Sequence, residues 1–154
     1  APTSVGTPPT LPSDPQAATK AAVIAAHTQS FKGFIEVGRR TPADPNDPRL
    51  SEHTSGSALI AARRAIVDNT AKGLVYVGDA ELHPTVIDLT ADSATVLECA
   101  MDRTALVQAK TGTTVVDAGP NQGAASTSKL RLEAGVWKVT DFKDEKRSCV
   151  PPAA

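Results

Sequence analysis

Aromatic residues are scarce in this chain of 154 residues: three phenylalanines, one tyrosine and one tryptophan. A core anchored on large rings is therefore excluded, and alanine and valine must supply most of its apolar volume. Long hydrophobic runs are missing too. The longest weakly polar stretch, 21-AAVIAA-26, falls far short of the roughly 18 apolar residues that a membrane-spanning helix requires. Neither sign of charge is in excess. Sixteen basic and seventeen acidic residues give a net charge of −1, without the basic footprint of a general nucleic-acid binder. The densest basic cluster, Arg39-Arg40 with Arg63-Arg64, reads as solvated helix edges. The first residues have neither the basic nor the apolar region of a signal peptide, as a trimmed mature form also would.

Catalytic and metal signatures are absent as well. The sequence has no Gly-x-Ser-x-Gly elbow, phosphate loop, His-Glu-x-x-His or paired-cysteine knuckle. The acidic 42-PADPND-47 lacks the glycine and closing glutamate of a calcium loop. No cofactor and no metal are expected. The length suits one domain with one core.

Several features stand out against these absences. Residues 1–15 hold five of the twelve prolines, with threonine and serine between them. Such a segment buries too little apolar surface to offset its ordering entropy, and it reads as a linker that holds a domain off a membrane or cell wall. The domain itself is expected over residues 16–150, with 151–154 as a tail. A long helix is expected from Gln16 to Gly38, with Ala17, Ala21, Ile24, Thr28, Phe31 and Ile35 on its apolar stripe. Asp14 is expected to cap it and Pro15 to open it. A helical turn should start at Asp47-Pro48, and a third helix should run from Ser55 to Ala71 and stop at Gly73. From there the period becomes two. Strands are expected over Leu74–Gly78, Leu82–Leu89, Ala94–Asp102, Thr104–Lys110, Ala125–Glu133 and Val136–Lys143, with His83-Pro84 marking an edge or a bulge. Helices followed by hairpin-linked strands indicate an α+β fold with an antiparallel sheet wrapped around the helices.

Only two cysteines occur. Cys99 falls mid-strand on the parity of Leu97 and Met101, and Cys149 lies beyond the last expected strand. Without a third cysteine or a nearby histidine they do not make a zinc site. Two readings stand: a bridge in an oxidising compartment, or two buried thiols in a reducing one. The proline-rich head favours the bridge and an extracytoplasmic home.

The order of "PADPNDPRL", "SALIAARRAIVDNTAKG", "GLVYVGDAELHPTVIDL", "SATVLECAMD" and "LEAGVWKVTDF", closed by Cys149, resembles small exported proteins and lipoproteins of actinobacteria. These have the nuclear-transport-factor-2-like (NTF2-like, SnoaL-like, cystatin-like) fold, and the resemblance covers residues 16–150. It implies a curved sheet coned around the long helix, with a pocket at the wide end. It also implies a lipid anchor upstream of Ala1. Related ketosteroid isomerases and SnoaL-like cyclases place an Asp, Tyr or His inside the cone. The candidates here are Asp141, on the parity of Trp137 and Val139; Asp102, at a strand end; His27, beside the helix stripe; and Tyr76, the only tyrosine. Each also has a structural reading: Asp141 as a partner for Lys138 or Lys143, Asp102 in a turn, His27 at a helix edge and Tyr76 in the core. His53 and His83 read as solvated loop residues. The preferred function is therefore a non-catalytic exported domain that binds a protein partner or a small apolar ligand, with homodimerisation through the sheet allowed. The alternative is an isomerase- or cyclase-type enzyme with an inward Asp as general base.

Overall fold

The computed structural model describes residues 2–9, 14–119 and 122–152. The linker and tail expectations thus fall partly on residues 1, 10–13, 153 and 154, which lie outside the described residues. The elements are α1 (Ala17–Gly38), α2 (Pro48–Ser51), α3 (Gly56–Ala71), β1 (Leu74–Val77), β2 (Ala80–Glu81), β3 (Pro84–Leu89), β4 (Ser93–Asp102), β5 (Ala105–Gln108), β6 (Thr114–Val116), β7 (Gly123–Glu133) and β8 (Val136–Cys149).

Helix α1 begins later than expected. Pro15 and Gln16 form a turn, and Asp14 caps that turn by accepting from the Gln16 N–H at 2.9 Å. Its buried face is also displaced from the expected stripe. Val23, Ala26, His27, Ile35 and Val37 are buried, whereas Ala17 and Ala21 are exposed. A buried carboxylate draws His27 inward, as described below. Gly38 serves packing rather than a cap: a Cβ there would stand 2.5 Å from the Tyr76 ring. Helix α2 starts as expected, with Pro48 at its first position and the Asp47 carboxylate accepting from the Arg49 N–H at 2.9 Å. Gly73, at φ 68°, closes the end of α3.

The strands are antiparallel and form two sheets, one ordered β1-β5-β6 and one ordered β2-β4-β7-β8, with β3 also paired to β4. The expected strand from Leu82 begins only at Pro84, where proline cannot supply a ladder donor, and β3 lies on the sheet edge with a register shift at Ile87. Strands β2 and β6 are additional to the expected set, and β8 runs on to Cys149. Thr140 forms a bulge, since Leu130 pairs with Val139 while Lys129 pairs with Asp141. The segment from His53 to Ser55 lies along the β8 edge and exchanges backbone hydrogen bonds with Val139 at 2.8 and 2.9 Å.

The main core joins Val23 and Ala26 of α1 to Ala94 and Val96 of β4, Leu130 of β7, and Trp137 and Val139 of β8. A second cluster, Val37, Leu50 and Ile66, ties the three helices together. A disulfide joins Cys99 to Cys149 with Cα atoms 5.9 Å apart. Cys149 is the last residue of β8, not a residue beyond it, and it does not sit beside β4. Strand β7 lies between, and the bridge passes over Gly123, whose missing Cβ would meet the Cys99 sulfur at 2.5 Å.

Candidate functional site

Helices α1 and α3 face strands β4, β7 and β8 across a cavity of about 630 Å³. Small residues on α3, namely Ala58, Ala61 and Ala62, leave the space open. All three phenylalanines of the chain, Phe31, Phe34 and Phe142, line it. A volume of this size with mainly apolar walls is that of a small-molecule pocket.

His27 reaches into this wall from α1. Its Nε2 lies 2.8 Å from the Glu98 Oε1, and the two side chains are 6% and 3% exposed. The second Glu98 oxygen accepts from the His83 backbone N–H. Desolvating a carboxylate is costly unless it is paired and hydrogen-bonded, and Glu98 is both. Among the described residues, the His27 Nδ1, the His83 Nε2 and the Ser128 Oγ are buried without a hydrogen-bond partner. Nearby, the Ser30 and Thr54 hydroxyls bond at 2.6 Å, which joins α1 to the segment that covers β8.

The expected site residues do not converge. Asp102 closes a turn, its Oδ1 accepting from the Thr104 N–H at 2.9 Å and hydroxyl at 2.7 Å. Asp141 is exposed at the rim and accepts from the Ser57 hydroxyl at 3.1 Å. The Thr140 bulge explains its position, since it shifts the parity so that Phe142, and not Asp141, pairs with inward Ser128. Neither aspartate touches His27, and Asp141 makes no ion pair with Lys138 or Lys143 among the described residues. Tyr76 packs edge-on against Phe34, with ring centroids 5.4 Å apart, and lines a second cavity of about 550 Å³ together with Asp102. Burial holds the Tyr76 hydroxyl pKa above its usual value; a hydrogen bond with Asn69 opposes this and the Asp102 charge adds to it. The other two histidines are half-buried, which corrects their reading as solvated residues. His53 Nδ1 lies 3.2 Å from the Trp137 carbonyl, and His83 Nε2 lies 2.9 Å from the Glu81 carboxylate.

Glu98 is the site residue that sequence reasoning missed. Between Leu97 and Cys99 a glutamate reads as the solvent-facing position of a strand. Both faces of β4 are in fact covered, and Glu98 shares the inward parity of Ala94 and Val96. The available signal was a histidine beside the stripe of the first helix, which requires a buried partner.

No family model matches the sequence, and no curated protein is similar to it. Solved structures do match. The intermembrane-space region of the chloroplast protein ARC6 superposes with a TM-score of 0.57 at 16% identity, over 79% of this chain and 95% of that one. A Nostoc punctiforme protein of unknown function with a cystatin-like fold gives 0.44 at 10% identity, over 83% and 90%. Hexachlorocyclohexane dehydrochlorinase LinA-type3 of Novosphingobium barchaimii gives 0.49 at 12% identity, over 89% and 97%. The ARC6 likeness speaks to the fold, and likenesses at these identities do not carry an activity.

Proposed function

We propose that the chain is an exported, non-catalytic domain that binds a small apolar ligand between its helices and a coned NTF2-like sheet. The observation that carries this reading is the cavity of about 630 Å³, whose walls hold all three phenylalanines and whose one deeply buried acid is already matched by His27. Export is supported by the Cys99–Cys149 bridge, since such bonds persist in oxidising compartments. The proline-rich head fits a tether to a membrane or wall, with any anchor upstream of Ala1. A protein partner or a second copy on the sheet face is the weaker reading, because Lys129 and Arg131 stand exposed on the outer face of β7.

Ala61→Trp tests the reading by filling the cavity from the exposed side of α3. The natural protein is expected to bind a neutral apolar probe such as 4-phenylbutanol in ligand-observed NMR. The variant is expected to lose that binding while its circular dichroism stays unchanged. Equal binding by both proteins would move the ligand out of the cavity and sink the reading.

A second reading, an isomerase- or cyclase-type enzyme, is favoured by the His27–Glu98 pair. A histidine backed by a carboxylate is a general-base arrangement, with His27 as the base and Glu98 orienting it, in contrast to the expected aspartate base. Deuterium entering a bound carbonyl ligand in heavy water, and its loss in Glu98→Gln, would favour the enzyme. A ligand recovered unchanged would favour the binding domain.

A further inference from the structure

We infer that the ligand carries one neutral oxygen, a hydroxyl or a carbonyl, on an otherwise apolar body, and that Ser126 is the residue that selects it; this rests on the binding reading of the same cavity. The inward row of β7 shows where that oxygen goes. Side chains two residues apart in a strand share a face, so Ala124, Ser126 and Ser128 stand in line along the cavity floor. Ala124 is exposed, Ser126 is 8% exposed and Ser128 is 1% exposed. The floor therefore deepens along the strand and closes at Ser128, whose hydroxyl is enclosed. The Ser126 hydroxyl is the deepest in this row that is still open to the cavity. It bonds to no described residue, and it is not one of the enclosed unpartnered atoms.

The other polar groups at this depth are taken. Ser30 and Thr54 bond to each other, and Ser57 donates to the Thr140 carbonyl at 3.0 Å. Glu98, the partner of Ser126 in the β4–β7 ladder, is matched by His27 and accepts from the His83 N–H. A largely buried hydroxyl without a partner is costly, because it has given up hydration for no new bond. Its neighbours Ala100 and Ala124 show that the packing needs no hydroxyl on this floor. The group is thus spare within the chain and available to a molecule that enters. A charged head does not suit the place. No lysine or arginine lines the cavity to match a carboxylate, and the one buried acid of the lining is already paired, so an ammonium finds no free buried acid. The geometry suits an apolar body between α1 and α3 with a neutral oxygen at Ser126.

The test uses three probes of one shape, tetralin, 1-tetralol and 1-tetralone, titrated into the whole chain by ligand-observed NMR. An oxygen moved from water into an apolar site without a partner weakens binding, so the hydrocarbon is tightest wherever no hydrogen bond is made. Here the alcohol or the ketone is expected to bind at least as tightly as tetralin. Ser126→Ala should weaken that probe by about fivefold to tenfold, the size of one neutral hydrogen bond, and leave tetralin unchanged. The variant should also keep its stability in urea, because the hydroxyl has no partner to lose within the chain. Tetralin binding tightest to the natural protein, or a Ser126→Ala variant that treats all three probes as the natural protein does, would overturn this inference and leave the apolar-pocket reading standing. A loss of stability in Ser126→Ala would overturn it too, since the hydroxyl would then be bonded inside the fold. Binding of none of the three would overturn both.

Discussion

Tyr76 is the only tyrosine in the chain, so its ionisation can be followed in the near-ultraviolet without interference from another. Burial beneath α1, against Gly38 and Phe34, disfavours the phenolate and raises its pKa. Below about pH 10 the ring is neutral in both the folded and the unfolded chain, and it adds no pH dependence to stability. Above that, the unfolded chain ionises first, so stability falls as pH rises from the unfolded value towards the folded one. A spectrophotometric titration should place the folded midpoint above the one measured in denaturant. Coincident midpoints would mean that the ring is not held in the packing described. The sequence marked Tyr76 as a residue of interest, and its place against Gly38 shows why a glycine ends α1. Glu98 was not legible in the same way, because its burial depends on a helix 71 residues away covering that face of β4.

At the scale of elements, the three helices and the long strands could be read from periodicity, because alternation and three- to four-residue steps follow from which face meets the core. The short strands β2 and β6 could not. At two and three residues they are shorter than any detectable period, and the second lies among turn-forming residues. The bulge at Thr140 was equally hidden, and with it the true parity of Asp141. How α1 is tied to the sheet was hidden too, since its polar fastening is the His27–Glu98 pair. Removing one partner leaves the other buried and unmatched, at a cost of about 3–5 kcal/mol, whereas replacing both with apolar groups is often neutral. His27→Leu and Glu98→Leu should therefore each destabilise by about 3 kcal/mol in urea unfolding, and the double variant by clearly less than their sum. Simple additivity would show that the pair does not hold α1 to β4.

For the molecule as a whole, few large side chains must stabilise a sheet that ends far from most of the core. The main cluster gathers α1 with the end of β8 nearest Trp137, whereas Phe142 to Arg147 are mostly exposed. Beyond Thr140 the strand has little apolar area to hold it, and its charged side chains also discourage pairing with another edge. The disulfide supplies what packing does not. It closes a loop with a sequence separation of 50, which in the chain-entropy account removes about 4 kcal/mol of freedom from the unfolded chain. It also fixes the far end of β8 across β7, where Gly123 leaves room for the sulfurs. Two effects should then follow from reduction or from Cys99→Ala with Cys149→Ala. Global stability should fall by about 4 kcal/mol in urea unfolding. In addition, hydrogen exchange in the still-folded protein should speed up most over residues 144–149, ahead of the rest of β8, because that end keeps only the β7 ladder and the Thr127–Glu145 hydrogen bond among its described contacts to β7. A fall in stability with no local change in exchange would place the whole effect in the unfolded chain. No fall in stability would mean that the strand is held by packing after all.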